Sequence, residues 1–328
     1  MPRVPGESDG RFDPALQTED IAYKPGEMVK CGNCGRQNPP NRLRCLYCAS
    51  SIEVMDHTGV KLTFRKLEAW EKGWNVVVKG TEATSDLRKA AGILSIDGSD
   101  LRRIVTSGVG LPAVRVESES EANVIQSSLQ GLGVPADIVS DKDLEGERPP
   151  VRLSGLEINA GIGAIDFNTR EITKLNDDVA LIVTGTIETS KTDVLEKRRR
   201  GKLKLLEEVA TTGDESLTDI YLRHDATGYR IQMSGFDFSC LGNEKAMLAS
   251  ENTRRLIEFL KAHFPRARVV DTYDEIRDLL TTTWPPQVQK DHKGLVFAGL
   301  GKREFGKSET MNNLDQFTKF SRLQWHLL

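Results

Sequence analysis

Four cysteines in one short stretch carry the clearest chemistry in this sequence. Residues 31–48 read CGNCGRQNPPNRLRCLYC, so Cys31 and Cys34 form one CxxC motif and Cys45 and Cys48 form a second after ten intervening residues. Two CxxC motifs that face each other supply the closed tetrahedral thiolate shell of structural zinc, with no ligand position left for a reacting water. The spacing predicts a non-catalytic Zn²⁺ site, and a redox-active dithiol pair is the alternative.

The stretch resembles the short bacterial zinc ribbons of approximate pattern C-P-x-C-G-x-x-N-x-x-x-x-x-F-C-x-x-C-G, which stand at the head of multidomain proteins. It is also similar to the Ran-binding-protein type of zinc finger, which has an Asn at the position of Asn38. That finger carries a Trp two residues before its first Cys, where this chain has Val29, and Ala49 replaces the Gly usual after the second motif. The resemblance implies a folding staple or a docking module.

A nucleic-acid reader is the other interpretation of the ribbon. Arg36, Arg42 and Arg44 supply its local positive charge, and Tyr47 is its sole aromatic residue. A second basic run, KRRRGKLK at 197–204, is predicted to be an exposed loop between two strands. It can bind phosphate groups of nucleic acid or lipid, or it can be a solvated loop balanced by neighbouring glutamates; its candidate anion-binding residues are Arg198, Arg199, Arg200, Lys202 and Lys204.

The segment GLGKREFGKS, residues 299–308, matches the spacing of a phosphate-binding P-loop through Gly301, Gly306, Lys307 and Ser308. A P-loop needs a strand before it, a helix after it, and a later strand that supplies an Asp for Mg²⁺. Only twenty residues follow Ser308, enough for one helix, so the match is interpreted as coincidental. Nucleotide binding through Lys307 remains a third hypothesis.

The last residues are unusually apolar for a chain terminus. Phe317, Phe320, Leu323 and Trp325 would either dock onto the protein's own core or anchor a partner chain. No HExxH, GxSxG or Cys–His spacing is present, so no active site is predicted, and Cys240 is interpreted as a small core residue.

The periodicity predicts the elements that carry these residues. From residue 73 the order is β-α-α-β-α-β, with helix-initial carboxylates interpreted as caps, and VRVESESEANVIQSSLQGLGVPADIVS resembles the C-terminal domain of the ribosomal stalk protein. After the linker ERPP at 147–150 come about seven antiparallel strands, with a polar loop between 191 and 217, and then a helix over 246–264. That arrangement resembles a pleckstrin-homology-like barrel plugged by its helix.

The predicted fold class is multidomain α+β: a zinc ribbon, a small β-α-α-β-α-β domain, and an antiparallel β-barrel or sandwich with a C-terminal helix. The predicted boundaries are 1–28 for a disordered N-terminal segment, 29–52 for the ribbon, 58–146 for the small domain, 151–268 for the barrel and 269–328 for an extension with the apolar tail.

Composition narrows the class of function. The formal net charge is −3, from 45 basic and 48 acidic residues, so any nucleic-acid binding must be local. No apolar leader or membrane-spanning segment is evident, which predicts a cytoplasmic protein. The sequence thus favours a non-catalytic zinc-containing adaptor or scaffold with a protein partner, with a ribosome- or RNA-associated factor as the alternative.

Overall fold

The computed structural model describes residues 23, 28–50, 52, 64–68, 70–80, 86–144, 148–159, 161–175, 178–199, 202–297 and 303–328. For 195–199, 202–208, 292–297 and 303–306 it describes the strand backbone and not the side chains. The chain divides into two compact units, residues 1–56 and 57–328. The predicted disordered segment 1–28 lies outside the described residues except for Tyr23 and Met28, and the predicted boundaries inside 57–328 stay predictions.

The first unit is organised by a two-stranded antiparallel ribbon. Strands β1 (Val29–Lys30) and β2 (Gln37–Asn38) pair Val29 with Asn38. Its small core consists of Cys31, Cys45 and Ile52, with Val29 packed against them. A core of this size needs a staple to be stable, which is the expected role of a bound metal ion.

The second unit begins with a three-stranded antiparallel sheet under helices. Its elements are β3 (Trp74–Val78), α1 (Leu87–Leu94), α2 (Gly98–Thr106), β4 (Leu111–Val116), α3 (Glu119–Gly131), β5 (Ala136–Ser140) and α4 (Asp141–Leu144). Strand β3 is central, between β4 and β5, and Val76, Val77 and Val78 are fully buried. The observed order through β5 is the predicted β-α-α-β-α-β.

Helix caps in this layer follow the predicted chemistry. The Asp86 carboxylate accepts the Lys89 amide at 3.2 Å, and that of Asp97 accepts the Ser99 amide at 2.7 Å. Helix α3 begins with a capping box in which Ser118 and Glu121 bind each other's backbone N–H groups. These carboxylates therefore set the helix starts.

A nine-stranded mixed sheet makes up the rest of the unit. Its strands are β6 (Val151–Ile158), β7 (Ile162–Asp166), β8 (Ile172–Leu175), β9 (Val179–Arg199), β10 (Lys202–Leu222), β11 (Asp225–Gln232), β12 (Arg268–Val270), β13 (Gln287–Phe297) and β14 (Arg303–Asn312). Their spatial order is β13-β14-β9-β10-β11-β6-β7-β8, and β12 pairs with β9.

The predicted antiparallel barrel is wrong. Among the described residues the sheet is open, since β8 and β13 do not pair, and two of its pairings, β11 with β6 and β12 with β9, are parallel. The reason is that β13 and β14 extend the sheet beyond β9, while the helices cover the core that a barrel would have enclosed. Where about seven strands were predicted, the structure has β6 to β11 followed by a 3-10 helix, Phe238–Glu244, and alternating apolar residues could not predict the order of the sheet.

The predicted polar loop between 191 and 217 is also wrong. Strands β9 and β10 form one continuous hairpin of 21 residues each, paired from Leu222–Val179 to Lys202–Arg199. Strand β9 is hydrogen-bonded here by β10 on one side and by β14 on the other, whereas β10 before Leu217 is paired with β9 alone.

Three α-helices, in addition to the 3-10 helix Phe238–Glu244, complete the described part of the second unit. Helix α5 (Ala249–His263) matches the helix predicted over 246–264 and buries Leu256 and Leu260 in the sheet's main core. Helices α6 (Tyr273–Leu280) and α7 (Leu314–His326) lie against β9, where Gly185 leaves room for the rings of Tyr273 and Phe317. None of the helices described is long and apolar enough to cross a membrane.

Candidate metal centre

The two CxxC motifs form matching turns. In the first, the Gly35 amide donates to the Cys31 carbonyl at 2.9 Å, and in the second the Ala49 amide donates to the Cys45 carbonyl at 3.0 Å. Each turn closes with a positive φ, 71° at Gly35 and 57° at Ala49. These turns direct two thiols each toward a common point.

The four thiols are close enough to share one ion. The sulfur atoms of Cys31, Cys34, Cys45 and Cys48 all lie within 4.8 Å of one another. The Cys31–Cys48 distance is 3.7 Å and the Cys34–Cys45 distance is 3.5 Å. Metal–thiolate bonds of about 2.3 Å in a tetrahedron place the sulfurs about 3.8 Å apart, so the cluster fits a tetrahedral ion. All four cysteines are free thiols, with Cys31 and Cys45 buried and the other two exposed.

Hydrogen bonds from two side chains hold the thiols in place. The Asn38 amide group donates to the Cys45 sulfur at 3.4 Å, while its carbonyl oxygen accepts the Leu46 backbone amide at 2.8 Å. The Ser50 hydroxyl lies 3.1 Å from the Cys31 sulfur and 3.0 Å from that of Cys48. The sequence pointed to Asn38 only through its resemblance to the Ran-binding-protein type of finger, and Ser50 was missed, since its only signal was its place two residues after the last cysteine.

The same contacts favour thiolates, the form that binds a metal. Hydrogen bonding by Ser50 holds the pKa of Cys31 below its usual value and lowers the pKa of Cys48 to about 6. At Cys34 the Arg36 amide favours the thiolate, but partial desolvation and the neighbouring sulfurs of Cys45, Cys48 and Cys31 together outweigh it and raise the pKa to about 12. Metal binding at this centre therefore displaces protons.

The second CxxC turn presents apolar side chains to solvent. Leu46 is 52% exposed and Tyr47 55% exposed, and the Arg36 guanidinium lies 4.6 Å from the centre of the Tyr47 ring. Arg42 lies in the loop between the motifs with Arg44 two residues on. The stacking engages Arg36 with the only aromatic residue of the ribbon.

The basic run at 197–204 lies at the distal end of the β9–β10 hairpin. In the strand register Lys197 is opposite Lys204, Arg198 is opposite Leu203, and Arg199 is opposite Lys202. The run is therefore mostly strand and not the predicted loop, and Arg200 lies outside the described residues. Lysine and arginine thus stand at directly opposed positions at this tip.

The P-loop match does not form a P-loop fold. Gly306, Lys307 and Ser308 lie within β14, which pairs on one side with β13 and on the other with β9. The strand continues to Asn312, and helix α7 begins only at Leu314. Ser308 is therefore not followed directly by the helix N-terminus that a P-loop requires. Gly301 lies outside the described residues.

The apolar tail docks internally, which corrects the partner-anchor interpretation. Phe317, Phe320 and Leu323 are completely buried in the second unit. Trp325 is partly buried and its ring N–H donates to the Leu222 carbonyl at 3.2 Å. A buried side chain offers no surface to a partner. Cys240 packs against the main core as predicted, and its burial raises the pKa of its thiol.

No family model, curated protein or solved structure matches this chain. The fold and the site therefore define it on their own terms: a mixed α+β protein with four cysteines placed to hold a metal ion.

Proposed function

We propose that this protein is a non-catalytic, zinc-containing adaptor that binds a protein partner. The observation that carries the proposal is the four-thiol cluster, whose sulfur spacing fits a closed tetrahedral shell. Tetrahedral sites of four thiolates hold zinc or iron, and zinc is proposed because the paired CxxC spacing resembles that of zinc ribbons. A shell without an open position stabilises structure and does not activate water.

The ribbon also offers a contact surface. Leu46 and Tyr47 are exposed on a turn that the metal would make rigid, and Arg36 stacks on the Tyr47 ring. Aromatic and arginine side chains on a rigid support are the usual energetic centres of protein interfaces. The proposed role is therefore docking, with the metal acting as the support for the docking turn.

Zinc content tests the first part of the proposal. We expect one zinc per chain in the purified protein and a loss of zinc in the Cys45→Ser variant, because three thiolates and a hydroxyl bind zinc much more weakly. Cys240→Ser is the matched control, since that thiol lies outside the cluster, and it should keep the full zinc content. A protein without zinc, or a C45S variant that retains it, would contradict the proposal.

Partner capture tests the second part. A tagged protein at native level should retain a protein partner at high salt, and Leu46→Ser with Tyr47→Ser should lose it while zinc content stays normal. Trp70→Ser is the control, because Trp70 is also exposed, at 79%, and lies outside the ribbon. Retention of the partner by the double variant would place the docking surface elsewhere.

A second candidate function, nucleic-acid binding, is favoured by the opposed basic pairs at the hairpin tip. Neutralising phosphates makes affinity fall with salt, with a slope of about 0.9 per phosphate contact on duplex DNA. Binding of duplex or single-stranded RNA that weakens with salt, and that Lys202→Glu with Lys204→Glu reduces at least tenfold, would support this candidate. Lys174→Glu, an exposed position on β8, is the control.

A further inference from the structure

Half of the large sheet extends beyond the buried core of the second unit. Four strand segments form this part, which we call the blade: residues 188–199 of β9, 202–214 of β10, 287–297 of β13 and 303–312 of β14. Burial ends at Ile187 on β9, and the positions with described side chains beyond it are mostly exposed or half-buried, with Val209, Val288 and Met311 each between 45% and 49% exposed. Where its side chains are described, the blade is therefore largely exposed to solvent, with Ser308 on β14 as a buried exception.

Both outer strands of the blade have an unpaired edge among the described residues. Strand β10 pairs with β11 only from Leu217 onward, so its segment 202–214 has a neighbour on the β9 side alone. Strand β13 pairs with β14 alone. Long open edges are templates for another strand, and natural proteins either block them or use them.

The directions of the two edges match. Strands β9 and β13 run toward the tip of the blade, and β10 and β14 run back from it, because each neighbouring pair is antiparallel. When β13 of one copy lies beside β10 of another, the antiparallel alternation continues without a break. The two edges are also similar in length, at 11 residues for β13 and 202–214 for the free part of β10.

The strand register shows which residues of β13 and β10 lie at the same distance from the tip of the blade, which we call the same level. Traced across β14 and β9, the residues at the same level are Leu295 and Leu205, His292 and Glu208, Lys290 and Ala210, and Val288 and Thr212. Glu207 lies level with Gly294, and Asp291 lies level with Val209, so no acidic residue of one edge falls opposite an acidic residue of the other. No pair between levels 205 and 212 carries like charges, and cross-strand pairs of this kind stabilise a sheet.

We propose that the free edge of β10 in one copy pairs with the free edge of β13 in a second copy, so that the chain self-associates into a continuous antiparallel sheet. The two surfaces are different, so the contact is head-to-tail, and repetition gives a closed ring or a filament. Charged residues on β13, Lys290 and Asp291 among them, disfavour the addition of an arbitrary apolar strand. This proposal is independent of zinc and of the docking turn.

Sedimentation of the full-length, zinc-loaded chain tests the proposal. The mass should exceed 36.5 kDa and rise with concentration. His292→Glu places like charges opposite Glu208, and Ala210→Lys places like charges opposite Lys290, so each should weaken association at least tenfold. Adding Glu208→Lys to His292→Glu gives an opposite-charge pair and should recover most of the affinity. Glu258→Lys, an exposed site on α5, is the control and should change nothing.

Directed crosslinking tests the register. In a Cys240→Ser background, chains with Ala210→Cys are mixed with chains with Lys290→Cys under mild oxidation. Within one copy these positions are three strand spacings apart, about 14 Å, which exceeds the disulfide limit of about 7 Å between Cα atoms. A mixed dimer therefore reports contact between copies, and Lys174→Cys with Lys290→Cys should give none.

Two results would overturn the proposal. One is a monomer at a concentration of about 100 µM, well above the range of specific assemblies. The other is an oligomer whose affinity neither charge variant changes and whose mixed chains do not crosslink, because such an oligomer uses another surface. Loss of zinc in the Cys45→Ser variant would leave these results unchanged, which separates this test from that of the adaptor role.

Discussion

Ala49 occupies the position at which the first CxxC turn has Gly35. Both residues have positive φ, 57° at Ala49 and 71° at Gly35, which is costly for a residue with a Cβ atom and free for glycine. In the sequence, Ala49 departs from the ribbon pattern, which has Gly at this position. In the structure, this departure strains the backbone next to the metal ligand Cys48.

We expect Ala49→Gly to tighten zinc binding about fivefold, since relief of the left-handed conformation is worth about 1 kcal/mol. The reciprocal variant Gly35→Ala should weaken binding by a similar factor for the same reason. Competition with a chromophoric chelator measures both. Equal affinities in the two variants and the wild type would show that the ribbon relaxes around either residue.

Arg230 and Asp219 form a buried ion pair beneath helix α7. Two guanidinium nitrogens of Arg230 each lie 2.7 Å from an oxygen of Asp219, which is fully buried, and Arg230 also donates to the Thr318 hydroxyl at 3.0 Å. Burial disfavours the charged guanidinium, but Coulombic attraction and hydrogen bonding by Asp219 outweigh it, so the pKa of Arg230 is raised.

Arg230→Leu should lower the free energy of unfolding by about 3–5 kcal/mol, because it leaves an unpaired carboxylate in the core. Adding Asp219→Leu should restore a large part of that loss. Urea unfolding measures both, and Arg254→Leu, on the exposed face of α5, is the control. A double variant as unstable as the single one would mean that Thr318 and the surrounding packing depend on the pair.

At the scale of elements, helix α7 connects both parts of the second unit. Its Gln324 donates to the Gly110 carbonyl at 2.9 Å beside the three-stranded sheet, and its Ser321 bonds the Tyr221 hydroxyl at 3.0 Å on the large sheet. Gln316 donates to the Trp284 carbonyl at 2.7 Å, and the Trp284 ring N–H donates to Asn75 at 3.0 Å. The helix is therefore a shared core element.

Phe320→Ala should destabilise the second unit by about 3–5 kcal/mol, as expected for removal of a fully buried aromatic ring. Leu328→Ala is the matched control near the end of the same segment, because Leu328 is 58% exposed and its loss leaves no cavity. Thermal unfolding followed by tryptophan fluorescence compares the two. A Phe320→Ala variant as stable as Leu328→Ala would contradict the internal docking of the helix.

The elements differ in how far the sequence could predict them. Strand β3 and helices α1 to α3 were predictable from the sequence. A short run of valines indicates a buried strand, and amphipathic segments that begin with capping residues indicate helices. The distal halves of β9 and β10 were not, since polar residues such as Lys191, Asp193 and Thr211 and the basic run at 197–204 indicated an exposed loop. Such strands exist because neighbouring strands satisfy their backbones, and a single sequence does not show which strands are neighbours.

Part of the metal centre could likewise be predicted from the sequence, and part of it could not. The spacing of Cys31, Cys34, Cys45 and Cys48 predicts the four ligands completely, because local turns alone bring each pair together. The supporting contacts of Asn38 and Ser50 depend on how one turn lies against the other, and this requires coordinates.

For the whole molecule, all four metal-ligating thiols lie within residues 31–48, in the first of the two units. Removal of zinc with a chelator should therefore unfold residues 29–52 and leave the main thermal transition of residues 57–328 unchanged. Hydrogen exchange measures this, with faster exchange expected at Cys31 to Ile52 and no change at Val76 to Val78. A lowered main transition would contradict this separation.

Helix α7 follows, in the order of synthesis, every element that it contacts. While the chain emerges from the ribosome, Tyr221, Trp284 and the three-stranded sheet are made before the helix that covers them. The second unit cannot complete its core progressively from its N-terminal side, as independently folding domains do. Apolar surface of the nascent chain stays exposed until helix α7 is made. We therefore expect the chain to depend on chaperones during translation until residues 314–326 are released.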